Sequence, residues 1–145
     1  PMPAIADQLE AAIREHVRDR LPAVSEFMVE DTRAACSRRT GALADSIMCD
    51  PWTESGDAFT TTISAGRSLE NPDVARYQEE GTGIFSPEGG RIFPTTARVL
   101  VFDWPARGGL TFARSVAGAP GTHYFYGPSG DAMDRRFSQG IAVAF

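Results

Sequence analysis

Lysine is absent from this chain of 145 residues, and all fourteen basic residues are arginine. The formal net charge is −5. A mildly acidic chain is a poor candidate for sequence-independent nucleic-acid binding, because such binding depends on neutralising phosphates with basic side chains. The arginine pairs Arg38-Arg39 and Arg135-Arg136 are predicted to be solvated ends of helices. The charge therefore argues against a general nucleic-acid-binding protein.

Long apolar runs and a secretory leader are also missing. No stretch reaches the roughly 18–20 apolar residues that a membrane-spanning helix needs. The first residues lack a basic segment followed by an apolar one. We therefore expect synthesis in the cytoplasm and no membrane partner. The two cysteines, Cys36 and Cys49, are too few for a disulfide framework, and both are predicted to be small buried or half-buried residues.

The signatures of catalysis and of cofactor binding are absent as well. Gly81-Thr82-Gly83 lacks the Gly-Lys-Ser/Thr ending of a phosphate-binding loop. There is no Gly-x-Ser-x-Gly elbow, and no set of His, Cys and carboxylate residues has the spacing of a metal site. Glu79 and Glu80 are neighbours and cannot face each other on a helix, so each is predicted to be a surface charge or an ion pair with an arginine. The sequence thus predicts no cofactor and no metal.

The two histidines differ in their sequence surroundings. His16 lies among charged residues of a predicted helix, and we expect it to be exposed. His123 lies beside Tyr124, and a lone histidine among aromatic residues is more often packed or hydrogen-bonded than a catalytic base. The sequence therefore favours a chain that is not an enzyme.

The length and a hydrophobic fraction of 42% fit one domain over residues 1–145. Within it, residues 1–39 predict a helical arm and residues 40–145 predict an α+β body. Residues 84–96 are irregular and rich in Gly and Pro, which predicts an exposed loop in that body.

The arm is predicted from an apolar residue at every fourth position of residues 4–21, the pattern of an amphipathic helix. Pro22 predicts a bend or a break. The pattern then resumes and ends near Arg38-Arg39, so we expect one long bent helix or two helices in series. The apolar series is Ile5, Leu9, Ile13, Val17 and Leu21.

The body begins with short elements. Thr40 is predicted to cap a short helix through its hydroxyl. Residues 59–65 alternate and are rich in β-branched residues, which predicts one strand. A further short helix is predicted to start at Pro72 and to end at Gly81. Its predicted inward side chains are Val74 and Tyr77, with Gln78 as a third.

The second half of the body predicts a hairpin and a helix. Residues 98–104 predict a strand that is buried on at least one face, and residues 110–116 alternate and complete an antiparallel hairpin. Residues 131–137 predict a short helix. The apolar tail, residues 141–145, is expected to dock on the sheet or to pair with a neighbouring chain. The sum is an α+β fold with a long N-terminal helix, a small antiparallel sheet and a short C-terminal helix.

Four local patterns follow one another along residues 40–137. They are Thr40-Gly41-Ala42-Leu43 with Ser46-Ile47, Tyr77 with Glu80-Gly81-Thr82-Gly83, Ile92-Phe93-Pro94 with Val99-Leu100-Val101-Phe102, and the run from Phe112 to Pro120. Their order and spacing resemble those of the small neck or tail-completion proteins of long-tailed bacteriophages, a family also described as head–tail joining or minor tail proteins. The chain departs from that family at residues 123–128, where members often have a Pro-Phe-Leu-type segment.

The resemblance implies a virion structural protein without catalytic residues. Such proteins form homo-oligomeric rings, commonly sixfold, between the head connector and the tail tube. The implied partners are the connector or head-completion protein and the tail tube or tail terminator protein. DNA would pass through the lumen without specific binding, which an acidic lining would suit. The implied location is the neck or tail of the virion, after synthesis in the host cytoplasm.

We expect the contacts with adjacent rings in the 84–96 loop and at the chain ends, because these segments have apolar tips. The Gly81-Thr82-Gly83 turn is interpreted as the joint that aims this loop at a neighbouring subunit. The predicted contact residues are Ile84, Phe85, Ser86, Pro87, Glu88, Arg91, Phe93 and Phe145.

Two other functions remain open from the sequence. One is a small hydrolase-like enzyme that uses His123 with a nearby carboxylate, which a His123→Ala variant would reveal through loss of activity with the fold intact. The other is a protein-binding module unrelated to phages, and the neighbouring genes would decide that question.

Overall fold

The computed structural model describes residues 2–36 and 41–145. The predicted α+β fold, with a long first helix and a short last one, is confirmed. The expected cap at Thr40 and the pair Arg38-Arg39 lie outside the described residues. The helices are α1 (Ile5–Ala35), α2 (Ala42–Asp45), α3 (Asp73–Glu80) and α4 (Ala132–Ala144). The strands are β1 (Met48–Cys49), β2 (Thr53–Ser55), β3 (Ala58–Thr60), β4 (Ile63–Ser64), β5 (Leu100–Trp104) and β6 (Gly109–Ala113).

Helix α1 continues through Pro22 for 31 residues, so one helix forms and not two in series. Proline removes one backbone donor from the helix interior. The helix persists because its second half is covered by the rest of the chain: Val24 and Thr32 are fully buried. The Ser25 hydroxyl donates to the carbonyl of Leu21 at 3.1 Å within the same turn.

Helix α4 is longer than the predicted residues 131–137 and packs along α1. It includes most of the apolar tail, residues 141–145, for which docking on the sheet or pairing with a neighbouring chain was predicted. Val24 and Met28 of α1 form a buried cluster with Ala144 of α4. Gly140 lets the two helices approach closely, since a Cβ there would lie 3.1 Å from Val24 Cγ1. The tail therefore packs on α1 through Ala144 and Ile141, whereas Val143 and Phe145 are exposed.

A second buried cluster joins the end of α1 to α2 and to an aromatic segment near the C-terminus. Ile47 is fully buried in it. Cys36 is buried and Cys49 is half-buried, which confirms the prediction for both cysteines. The cluster contains Val29, Cys36, Leu43, Ala44, Ile47 and Tyr124.

The strands form three separate antiparallel pairs, β1 with β4, β2 with β3 and β5 with β6. The single strand predicted over residues 59–65 is wrong, because the chain leaves β3 at Thr61 and enters β4 at Ile63. At this break the Thr61 hydroxyl donates to the carbonyl of Asp50, and the Asp50 amide donates to the carbonyl of Thr62 at 2.9 Å. These bonds lie where the chain changes its pairing partner, from β2 for strand β3 to β1 for strand β4.

The predicted hairpin of the second half is confirmed as β5 and β6, in register from Leu100 opposite Ala113 to Trp104 opposite Gly109. The predicted burial of one face is wrong. Alternate residues of β5 and β6 are half-buried on one face and exposed on the other.

Candidate interaction surfaces

Helix α3 turns a carboxylate, and not an aromatic ring, toward the interior. Tyr77, predicted to point inward, is exposed, whereas Glu79 is buried. Glu79 Oε2 accepts the backbone N–H of Phe125 at 2.8 Å, and Oε1 accepts that of Tyr126 at 3.0 Å. The prediction of a surface charge at Glu79 is therefore wrong. Its neighbour Glu80 does pair with an arginine, Arg76, at 2.9 Å.

Arg136 of α4 binds the same aromatic segment from the other side. It is buried, where a solvated helix end was predicted. Its guanidinium donates to the carbonyls of Phe125 at 2.7 Å and Tyr124 at 2.9 Å, and to Asp31 Oδ2 at 2.7 Å. The backbone of residues 124–126 is thus held through its amides by one side chain and through its carbonyls by another. Buried charges of this kind need such partners to offset their desolvation.

Tyr124 and His123 differ sharply although they are adjacent. Tyr124 is buried, its hydroxyl donates to the carbonyl of Ala75 at 3.3 Å, and burial raises the pKa of that hydroxyl above its usual value. His123 is exposed with φ at +51°. In the described part of the chain, no carboxylate hydrogen-bonds to the His123 side chain.

The Gly81-Thr82-Gly83 turn crosses the segment that leads to residues 124–126. The Thr82 amide donates to Ala119 O at 2.8 Å, and the Ile84 amide donates to Ala117 O at 2.8 Å. At Gly83, where φ is +63°, an added Cβ would collide with the carbonyl oxygen of Ala117. We call this contact, between residues 81–84 and 117–121, the glycine crossing. Its glycines permit close backbone approach.

The 84–96 loop leaves the glycine crossing and is closed again by a short β-bridge. Ile92 and Val116 exchange backbone hydrogen bonds of 2.9 and 3.0 Å. Between these fixed ends, Glu88 pairs with Arg76 at 2.7 Å and Arg91 Nε donates to Ser115 Oγ at 2.9 Å. Of the predicted contact residues in this loop, Ser86 is half-buried and the others are exposed, namely Ile84, Phe85, Pro87, Glu88, Arg91 and Phe93.

The β5–β6 hairpin presents an apolar face to solvent. Val101, Leu110 and Phe112 are 53%, 67% and 63% exposed, and Val101 lies directly opposite Phe112. We call these three residues the hairpin face. An isolated two-stranded hairpin is marginally stable in water, and exposed apolar side chains that cluster on one surface are typical of association sites.

The first half of α1 carries a second exposed apolar surface. Ile5, Leu9 and Ile13 are 84%, 59% and 55% exposed, and they share one side of the helix at i, i+4 spacing. We call them the helix stripe. Farther along the same series Leu21 is buried. The amphipathic pattern is thus continuous along α1, although the described chain covers only its second half.

An ion cluster on another side of α1 fixes the orientation of the helix stripe. Arg14 pairs with Glu10 at 3.0 Å and with Glu54 of β2 at 3.1 Å, and also contacts Asp57. Arg18 pairs with Glu54 at 2.6 Å. Hydrogen bonds from Arg18 and then Arg14 hold the pKa of Glu54 below its usual value. The β2–β3 pair is therefore attached to α1 mainly by charges.

The C-terminal end of α4 lies beside the helix stripe. The Phe145 ring meets His16 edge-on with ring centroids 5.7 Å apart, and Arg20 donates to the carbonyl of Ala144 at 2.8 Å. About half of the surface of Phe145 is accessible to solvent, and His16 is exposed as predicted. This arrangement extends the apolar surface of the stripe by one aromatic ring.

Within residues 2–36 and 41–145, no group of three His, Cys, Asp or Glu side chains could hold a metal ion. Among the same residues, no helix is both long and apolar enough to cross a membrane. Comparison with protein-family models, with curated proteins and with solved structures gives no match for this chain.

Proposed function

We propose that this chain is a virion structural protein of the neck or upper tail of a long-tailed bacteriophage. It forms a ring, sixfold by its resemblance, that joins the head connector to the tail tube through protein–protein contacts. The observation that carries the proposal is the exposed hairpin face on a two-stranded element. Such an element gains stability when another protein surface covers it.

The position of a second apolar surface supports the ring. The hairpin face lies on β5 and β6, whereas the helix stripe lies near the start of α1. Two different exposed apolar surfaces on one chain allow a head-to-tail contact that repeats from copy to copy. Such a contact closes into a ring when the rotation between neighbouring copies is a whole fraction of a full turn. The net charge of −5 suits a lumen through which DNA passes without binding.

The 84–96 loop is the proposed contact with the adjacent ring. Its ends are fixed by the glycine crossing and by the bridge between Ile92 and Val116, while Phe85 inside the loop is 46% exposed and Phe93, just past the bridge, is 63% exposed. A closed base with an exposed aromatic ring beside each anchor presents the same surface from every copy of the ring. Partners above or below the ring would then meet a repeated set of these rings.

Deleting residues 86–91 tests this proposal. The deletion removes the exposed polar contacts of Arg76 with Glu88 and of Arg91 with Ser115, which contribute little to stability. It also removes the local hydrogen bonds from Ser86 to the carbonyl of Gly83. We therefore expect a folded protein with a wild-type circular dichroism spectrum and unchanged oligomeric mass. Head–tail joining, counted by electron microscopy after mixing purified heads and tails with the variant, should fall to the level without added protein. Joining at the wild-type yield would refute the role of the loop.

A further inference from the structure

We infer that the hairpin face of one copy of this chain docks on the helix stripe of the next copy. The inference deepens the proposed ring and rests on that proposed function. It names which two surfaces meet, Val101, Leu110 and Phe112 from one chain and Ile5, Leu9 and Ile13 from the other. Phe145, beside the stripe, lies at the edge of the same contact.

The two surfaces have the same need for a partner. Each carries three large apolar side chains that are more than half exposed. Neither is covered by any other part of the chain that the structure describes. Exposed apolar side chains that cluster on one surface mark sites of association more often than singly scattered ones do.

The hairpin face is a little more than half as long as the helix stripe. Leu110 and Phe112 are two residues apart on one strand, a distance of about 7 Å, and Val101 lies about 5 Å across from Phe112. The helix stripe runs eight residues along α1, a length of about 12 Å. A hairpin face laid along the stripe would therefore cover most of it, and Phe145 would extend the contact.

The charges around the surfaces are opposite. Residues 98–116 carry three arginines and one carboxylate, Asp103, which lies opposite Leu110. Residues 5–20 carry four carboxylates and three arginines. Opposite charges at the rim steer association and fix its orientation.

The same charges disfavour contact between two hairpin faces. That contact would bring the arginines of residues 98–116 together, which is costly for a docked interface. A contact between unlike surfaces of identical chains is heterologous and propagates around a ring. Another receptor on the chain is the aromatic groove of about 550 Å³ beside Trp52, Phe59 and Phe137. Asp134 also lines this groove, and the test below includes it.

The test uses one variant of each surface. Leu9→Glu places a charge in the helix stripe, and the double variant Leu110→Thr/Phe112→Thr removes the apolar hairpin face while keeping good strand formers. We expect each variant alone to be a monomer by size-exclusion chromatography with light scattering. Its midpoint of assembly should rise about 30-fold or more, the size of a hot-spot loss. An equimolar mixture should form heterodimers and stop there, because each variant keeps the one surface that the other lacks.

Matched controls separate this contact from general effects. Ala11→Glu adds the same charge to an exposed position on the opposite side of α1. Phe93→Thr removes a ring that is 63% exposed, as is that of Phe112, but lies in the 84–96 loop. Both controls should assemble like the wild type. Phe93→Thr should still weaken head–tail joining. This variant therefore distinguishes an effect on joining from an effect on ring assembly.

Other outcomes would contradict the inference, and most of them would identify a different contact. Dimers of the Leu9→Glu variant alone would show hairpin–hairpin contact, and dimers of the double variant alone would show stripe–stripe contact. Full rings from Leu9→Glu would point to the aromatic groove as the receptor. A wild-type chain that stays monomeric at high concentration would also refute the contact. If rings form through this contact but virions join heads to tails normally without the protein, the inference stands and the proposed function falls.

Discussion

Glu79 and Glu80 are adjacent in the chain, but their carboxylates have opposite surroundings. Glu79 is buried and accepts two backbone amides from residues 125 and 126. Glu80 is exposed enough for solvent to screen its pair with Arg76. The segment from His123 to Tyr126 depends on the first carboxylate and not on the second.

We therefore expect Glu79→Gln to lower the free energy of unfolding by about 1–3 kcal/mol, because its amide nitrogen would face a backbone donor. Glu80→Gln, one residue away, should change it by no more than about 0.5 kcal/mol. Urea denaturation of both variants measures the difference. Equal effects would show that the two amide bonds to Glu79 contribute nothing specific.

The glycine crossing allows a similar comparison between two glycines with the same backbone conformation. Gly83 and Gly89 have φ values of +63° and +66°. An added Cβ collides with Ala117 O at Gly83 and meets nothing within 4 Å at Gly89. Gly89→Ala should cost about 1–2 kcal/mol for its left-handed backbone alone, whereas Gly83→Ala should cost at least about 3 kcal/mol or prevent folding. Matching urea midpoints for the two variants would contradict this explanation of the crossing.

The roles of single residues were the least predictable from the sequence. Helical spacing placed Val74, Tyr77 and Gln78 inward, and it could not place Glu79 there, because the partners that make its burial tolerable come from residues 125 and 126. Arg136 was missed for the same reason: its carbonyl partners and Asp31 lie on other elements. One signal was available. Each of the two buried residues, Glu79 and Arg136, is adjacent in sequence to a residue of the same charge, Glu80 or Arg135, that lies at the surface as predicted.

At the scale of elements, the attachment of β2–β3 to α1 depends on pH. The pKa of Glu54 is held below its usual value of about 4.5 by hydrogen bonds from Arg18 and Arg14. A group with a lowered pKa in the folded state stabilises that state at pH values above its usual pKa. This contribution is lost as the pH falls below about 4.5 and through the lowered value. The pair β2–β3 should therefore loosen from α1 in acid before the core unfolds.

Carbon-13 NMR of the Glu54 carboxyl group measures this titration directly. The midpoint should lie below the usual value in the wild type and should rise in Arg18→Gln, which removes the largest cause of the shift. Arg20→Gln is the control on the same helix, because Arg20 bonds a backbone carbonyl and not Glu54. A Glu54 midpoint that does not respond to Arg18→Gln would contradict the ion cluster.

The elements with strong local patterns were predictable, and those that depend on distant partners were not. The i, i+4 series predicted α1, and alternation predicted the β5–β6 hairpin. The run over residues 59–65 reads as one strand by composition. Its division at Thr61 follows from side-chain and backbone bonds to Asp50, which composition does not show. Helix α4 extends beyond residue 137 because Gly140 and Ala144 fit against α1.

At the scale of the whole molecule, the core and the proposed contact surfaces are on different parts of the same elements. The second half of α1 packs on α4, whereas the helix stripe occupies its first half. The sequence predicted that α1 and the hairpin each have an apolar side. It could not show which of those sides the chain itself covers, because the apolar pattern is the same in both cases.

The closed base of the 84–96 loop has a consequence for how the protein can evolve. Because Ile84 and Ile92 are already anchored to residues 117 and 116, adding residues at Gly89 and Gly90 does not alter the closure of the loop. Doubling the length of a flexible loop costs only about 0.6 kcal/mol. The reach of the loop toward a partner can therefore lengthen or shorten by insertion, while the fold that carries it stays the same.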